Sequence, residues 1–430
     1  MSEKKFLSYI VSISFLVYFI TTLRTPFGDR LIPYGYFIAL ASLVLMVLIA
    51  VFKSNIRIQQ HSIPVLLIVS ALFLFTITST IWSQYPQLTF QRALMSFLGI
   101  ASALIIGLTD RNKRYTFYLL SIMMFLLISS LSVSGVLIYF FGTETMINDA
   151  TVQLLTVGSI EIIQNIVGSE SRIASPLLAN PNTLAGLIAI SIPLSVHLLI
   201  RSKSFLVASG IAVQFIALIL TFSRTGLVVT TVALMLLSVF FLYQQSKLRL
   251  MIKIVLLSLV PSLLFINYIP GISRLTSLSF TVRKMTWTAL YESFTQNPLI
   301  GTGFGVSNEA VLFVTENTAA SSHSDYFAML AEQGVVGIVL FIFLLLSAFF
   351  VGLKTYINSN GSDRIYLAVA MAIFVSLSIR GLAETVMIRP GFTQLFWAYM
   401  FAFILSSDSI RTGVTYTSPN KKPISNKNSD

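Results

Sequence analysis

Residues 321–353 read SSHSDYFAMLAEQGVVGIVLFIFLLLSAFFVGL. From Val335 to Leu353 no side chain is charged, and a helix of about that length crosses a hydrocarbon core roughly 30 Å thick. The polar residues before Gly334 do not suit that environment. The stretch is therefore the junction of an aqueous insert and a membrane span, with His323 and Glu332 on the aqueous side.

Similar nearly uncharged apolar runs recur at 6–22, 31–52, 63–82, 90–108, 116–141, 183–200, 204–222, 225–243, 250–268, 365–379 and 391–407. With 335–353 they predict an all-α integral membrane protein of about twelve transmembrane helices. Pro193 and Pro261 fall inside spans, where neighbouring helices satisfy the freed carbonyl. The expected organisation is one polytopic membrane domain over 1–407, a large loop at 269–334 within it, and a Ser-, Asn- and Lys-rich disordered cytoplasmic tail over 408–430. Lys4 and Lys5 precede the first run and no small-residue cleavage site follows it, so it reads as a retained anchor.

Composition agrees. The chain is 55% apolar and 10% charged, with a mean hydropathy of +0.85, whereas soluble domains carry about 25% charged residues. It has no cysteine, hence no disulfide framework and no thiolate chemistry. No sequence motif with metal-ligand spacing is present, and neither a metal nor another cofactor is expected. With the N-terminus in the cytoplasm, the inner segments hold 18 basic and 5 acidic residues and the outer ones 10 and 11. The net charges are +13 inside and −1 outside, so the basic balance follows the positive-inside rule and calls for no nucleic-acid partner.

Two outer segments are long, about 142–182 and 269–334, and long ordered loops are often functional. His323, unlike His61 and His197, falls outside. Ser322-His323-Ser324-Asp325 fits a capping box with Ser322 as N-cap and His323 as the first helical residue. The helix dipole there disfavours imidazolium and leaves His323 a neutral base; a plain surface histidine is the alternative. The helix is expected to reach about Glu332 and break at Gly334.

Residues 281–296 read as a helix stopped by Asn297-Pro298, with Arg283, Trp287, Leu290 and Phe294 on one face. Arg283 either snorkels, pairs with Glu292 or Glu316, or holds a lipid phosphate. Gly301-Thr-Gly303-Phe-Gly305 is a turn; no strand–turn–helix unit supports a dinucleotide site, but backbone N–H groups of such a turn can also meet an anion. Arg224 sits in a two-residue connector at the outer surface, as a phosphate ligand or a boundary anchor. Arg92, Arg380 and Arg389 share that location, and Arg380 and Glu384 are spaced i, i+4 for a mutual pair. Asn180-Pro181-Asn182 reads as a turn into the next span. A neutral imidazole and permanent cations on the outer face point to chemistry on a phosphate-bearing lipid. The scarcity of ionisable residues near span centres argues against a proton-coupled carrier.

These segments together resemble the O-antigen ligase and polymerase superfamily, the Wzy/WaaL/ExoQ-like membrane glycosyltransferases. TFSRTG (221–226), VRKMTW (282–287) with NPLIGTGFG (297–305), and HSDYFAMLAEQGVVG (323–337) carry the resemblance, with WSQYPQLTFQRA (82–93) and LANPNTLAG (178–186) similar to exopolysaccharide-type members. Ser324 departs from the family pattern, where Asn often follows the histidine.

The resemblance implies a GT-C-like, metal-independent, inverting glycosyltransferase of the bacterial inner membrane, with 269–334 as its periplasmic catalytic loop. The implied partners are an undecaprenyl-diphosphate-linked oligosaccharide donor, a glycan or lipid A core acceptor, and a chain-length regulator. It implies His323 as the group that activates or orients the acceptor, and Arg224 and Arg283 as catalytic phosphate ligands. Trp287 and Tyr326, and the turn glycines Gly303 and Gly305, complete the expected substrate-binding set. A lipid-linked glycan flippase and a non-catalytic component of an export complex are the alternatives.

Overall fold

The computed structural model describes residues 3–22, 44, 60–110, 112–147, 150–157, 160–165, 173, 178, 180–244, 281–307, 309 and 322–406. The expected spans at 31–52 (Val44 apart) and 250–268, and the tail at 408–430, lie outside them.

The described chain is mostly helical: α1 Glu3–Thr22, α2 Ile63–Thr78, α3 Pro86–Thr109, α4 Lys113–Phe141, α5 Pro181–Ser202, α6 Phe205–Leu220, α7 Arg224–Gln244, α8 Thr281–Gln296, α9 Asp325–Asn358, α10 Gly361–Arg380 and α11 Phe392–Ser406. Among the described residues, six helical stretches are long and apolar enough to cross a membrane: Ile63–Ile81, α3, α4, α5, Arg224–Tyr243 and α9. Ser8–Ile20, Phe205–Leu220 and Phe392–Ser406 are shorter apolar helices. The chain is thus a multi-pass helical membrane protein.

The helices pack around α11, whose residues are buried along its whole length. It lies on α3, where Gly107 leaves room for Ala402 and Ser96 accepts a 2.7 Å bond from Gln394 Nε2. α5 is the second buried helix, wrapped by α4, α6, α7 and α10, and Pro193 sits inside it. Leu67, Leu126, Phe140, Phe205, Phe343 and Phe350 point out of the bundle. An apolar exterior of this kind suits a lipid-facing surface.

Part of the outer segment at 142–182 forms a three-stranded antiparallel sheet that the helical reading did not include. Its strands are β1 Thr143–Ile147, β2 Ala150–Val157 and β3 Ile160–Asn165, with Leu154 opposite both Thr143 and Ile163. The signal was in the sequence: Asn148-Asp149 and Gly158-Ser159 each separate β-branched runs by two residues, a hairpin spacing.

Helix α9 is two helical segments joined across a kink. Gly334, with φ 62° and ψ −162°, interrupts it where the sequence predicts a break. Segment 298–303 inserts at that point. Pro298 and Leu299 carbonyls accept from the N–H groups of Val335 (2.8 Å) and Val336 (3.2 Å), while Ala331 and Glu332 carbonyls accept from Thr302 (3.1 Å) and Gly303 (2.9 Å). These four bonds satisfy backbone groups of α9 on both sides of the kink. A Cβ on Gly334 would collide with the backbone of Leu299 and Ile300.

Candidate active site

Helix α8 buries Thr286, Ala289, Leu290 and Ser293, and packs on the first turns of α9. Trp287 stacks on Phe327 with ring centroids 5.0 Å apart and planes 17° apart. This packing holds Arg283, one turn earlier, against Glu384: Nη2 donates to Oε1 at 3.1 Å, and the two side chains are 25% and 17% exposed. Among the described residues Arg283 therefore pairs with Glu384 and not with Glu292; Glu316 lies outside the described residues.

Glu384 is held from two directions. The N–H groups of Ala383 and Glu384 both donate to the Arg380 carbonyl at 3.0 Å, closing a turn after α10. Asn182 Nδ2 donates to Glu384 Oε1 at 3.3 Å, and Asn182 is itself fixed because its N–H donates to the N-cap Asn180 Oδ1 at 2.8 Å. Arg380 does not make the expected i, i+4 pair. Its guanidinium is buried along α5, where Gly186 leaves room for it, and Nη2 donates to the Asn182 carbonyl at 2.9 Å. One carboxylate thus faces Arg283, and one arginine fastens α10 to the start of α5.

His323 lies just before α9, and the capping box is displaced by two residues. The N-cap is Ser324, whose Oγ accepts from Phe327 N–H at 3.3 Å. His323 is outside the helix, in the left-handed region with φ 48°. Asp325, expected as the acidic third residue of the box, is instead the first helical residue and is fully buried. Its carboxylate accepts from the N–H groups of Val386 and Met387 at 2.9 Å and Ile388 at 3.3 Å, while its own N–H donates to the Gly381 carbonyl at 2.8 Å. These bonds lock the 381–388 turn to the residue two places after His323.

Half-buried, His323 is within electrostatic reach of both members of the ion pair. Burial holds its imidazolium below the ordinary histidine range, the Arg283 cation pushes the same way, and the Glu384 carboxylate opposes them. The downward direction matches the expected bias against imidazolium, but burial rather than a helix dipole is its main cause.

The Gly-rich turn does hold an anion, and the anion is the protein's own. Gly305 N–H and Ser307 N–H donate to the Glu332 carboxylate at 2.8 and 3.0 Å. Gly303 N–H goes to the Glu332 carbonyl. Arg389 donates to the same carboxylate and, at 2.9 Å, to Ser307 Oγ. Residues 301–307 are buried. The N–H groups of Gly303 and Gly305 are consequently engaged, and this corrects the expectation that they face substrate. Arg92 grips Glu309 with both terminal nitrogens, at 2.7 and 2.8 Å, and the Gly305 carbonyl besides. Arg92 and Arg389 are thus structural clamps on the turn, not boundary anchors.

Arg224 opens α7 on the same end of the bundle. Ser223 Oγ accepts from Gly226 N–H at 3.3 Å, and Gly226 packs against Ala185 of α5, next to Gly186 and Arg380. Tyr326 donates from its hydroxyl to the Ser378 carbonyl at 3.0 Å and sets its ring edge-on to Phe341, a packing arrangement. The sequence reading took Glu384 and Asn182 for a local pair and a turn, and missed them as parts of the site. An acidic residue isolated among apolar helices was the available signal.

No curated protein matches the chain. Residues 209–342, which carry Arg224, Arg283 and His323, match the Wzy_C family model, described as O-Antigen ligase, and that match supports the resemblance to the O-antigen ligase and polymerase superfamily.

Proposed function

We propose that the protein is a GT-C-like O-antigen or exopolysaccharide polymerase or ligase of the bacterial inner membrane. It transfers a glycan from undecaprenyl diphosphate to an acceptor hydroxyl at the periplasmic face, without a metal and with inversion. The observation that carries the reading is the meeting of Arg283, Glu384 and His323 at the ends of α8, α10 and α9, beside a family match that implies lipid-linked glycan and acceptor substrates.

The acceptor oxygen forms a bond to the anomeric carbon as that carbon's bond to the diphosphate breaks. The departing electron pair leaves on the diphosphate, and the hydroxyl proton passes to His323. Charge on the leaving group grows during the step, so preorganised cations that hold it more tightly then than before lower the barrier. Arg283 and Arg224 fill this role, because guanidinium stays charged and grips phosphate oxygens in pairs. Glu384 occupies Arg283 until donor arrives. Once the diphosphate takes Arg283, Glu384 is left beside His323, where it stabilises the imidazolium formed by proton transfer. Trp287 borders the same region, with its indole face already covered by Phe327.

The test uses purified full-length protein with an undecaprenyl-diphosphate-linked repeat unit. Release of undecaprenyl diphosphate together with a longer lipid-linked chain means polymerase, and transfer to a lipid A core acceptor means ligase. Absence of release with both acceptors, under conditions in which donor binds, rejects the reading.

A further inference from the structure

The far end of α5 carries a second site. α5 has 22 residues, and at 1.5 Å per residue its Arg201 end lies about 33 Å from the Asn182 end that borders His323. A cavity of about 670 Å³ opens there between α4, α5, α6 and α10. We propose that this cavity binds an anionic phospholipid of the leaflet opposite the His323 site.

The lining divides by chemistry. At the mouth, Arg201 Nη1 donates to Tyr366 Oη at 2.6 Å, and its guanidinium carbon lies 5.5 Å from the centre of the Tyr118 ring and 5.9 Å from that of Tyr366. Two tyrosine rings therefore fix the cation in place without neutralising it. Arg201 forms no ion pair with a carboxylate among the described residues, whereas Arg114, on the same rim, is bound by Asp363. The rim keeps a net positive charge, held in a preorganised position.

Deeper in, the walls are apolar. Phe125 and Val207 are buried there and pack with Leu198, while Leu126 lines the same cavity and is 55% exposed. Phe205 and Leu206, next to Val207 in sequence, are exposed on the apolar exterior. A free phosphate has no use for such walls. A lipid entering sideways sets its phosphate on Arg201 and its first acyl carbons against Phe125, Leu126 and Val207. Basic pockets between transmembrane helices are a recurrent form of anionic-lipid recognition, and the cavity volume is in the range of small-molecule sites.

The experiment is lipid retention by the full-length protein in detergent, read by native mass spectrometry with equal amounts of dioleoylphosphatidylglycerol and dioleoylphosphatidylcholine. Wild type should retain the anionic lipid with about fivefold preference, the factor expected for one cation near a membrane surface, and soluble glycerol phosphate should not displace it. Arg201→Gln should lose the preference. Leu126→Trp, which fills the cavity from its exposed wall and keeps every cation, should lower retention of the anionic lipid, and it serves where Arg201→Gln fails to fold. Equal retention of both lipids, an unchanged preference in Arg201→Gln, unchanged retention in Leu126→Trp, or displacement by glycerol phosphate alone overturns the proposal.

Discussion

Arg283 and Glu384, 101 residues apart in sequence, pair at 3.1 Å beside His323. The pair ties the proposed phosphate ligand and the proposed base to one carboxylate, so a change at Glu384 should reach both. The Glu384 charge raises the His323 pKa. Glu384→Gln removes that influence and lets the pKa fall further, so the acid limb of the rate profile should move to lower pH while transfer slows. An acid limb that stays in place in Glu384→Gln would show that the carboxylate and the imidazole do not communicate.

The arginines are expected to act on the leaving group. Arg283→Ala and Arg224→Ala should each cost about 10²-fold or more in transfer, the scale of losing one preorganised donor to developing negative charge. Lysine should restore little at either position, since a point charge does not reproduce a paired grip on phosphate oxygens. Membrane levels of the variants give the control. Near-normal transfer by Arg224→Ala would leave Arg283 as the sole cation of the site among those proposed.

The Gly-rich turn makes a prediction about stability. Glu332 is wholly buried and is held by Gly305 N–H, Ser307 N–H and Arg389. Glu332→Ala leaves the Arg389 charge and two N–H groups without that partner, and removing one member of a buried pair costs about 3–5 kcal/mol. Gly305→Ala meets two obstacles: φ is +85°, and a Cβ would stand 2.8 Å from Arg92 Cβ and Cδ. At Gly361, φ is +56° but nothing lies within 4 Å, so Gly361→Ala should cost only about 1–2 kcal/mol of left-handed strain. Thermal unfolding in detergent should rank Glu332→Ala and Gly305→Ala well below Gly361→Ala.

Much of this architecture is legible in the sequence because a bilayer imposes it. Uncharged runs such as 335–353 and breakers such as Gly334 act through local chemistry that one segment displays by itself. Arg283 on a helix over 281–296 was legible for the same reason. The pairing of charges was not. Glu384 satisfies its natural local partner by spacing, yet Arg380 is drawn to the Asn182 carbonyl and Glu384 to Arg283, because α5, α8 and α10 end at one place. The capping box failed similarly. Ser322-x-x-Asp325 has the right spacing, but the 386–388 N–H groups bind the Asp325 carboxylate and move the helix start to Ser324. Where two local choices are nearly equal in energy, the distant segment decides between them.

His323 gives the most specific prediction. Its pKa in the folded protein lies below the ordinary 6.5, chiefly through burial and further through Arg283, so at neutral pH it is ready to accept a proton. Transfer should hold level as pH falls from 7.5 towards 6.5, the ordinary histidine value, and decline only below it. Arg283→Lys keeps the charge and should leave that limb nearly in place even as the rate drops. His323→Ala should cost about 10²–10⁴-fold, the usual worth of a positioned base, while donor binding persists through the arginines. His323→Gln retains hydrogen bonding without basicity and should fail to a similar degree. The same depressed pKa bears on stability. Below pH 6.5 the unfolded chain takes up a proton that the folded protein resists, so His323 lowers stability as pH falls through 6.5 towards its folded value. His323→Gln should abolish that component of acid sensitivity. An active His323→Gln with a flat pH profile removes the base assignment and leaves His323 as a group that orients the acceptor.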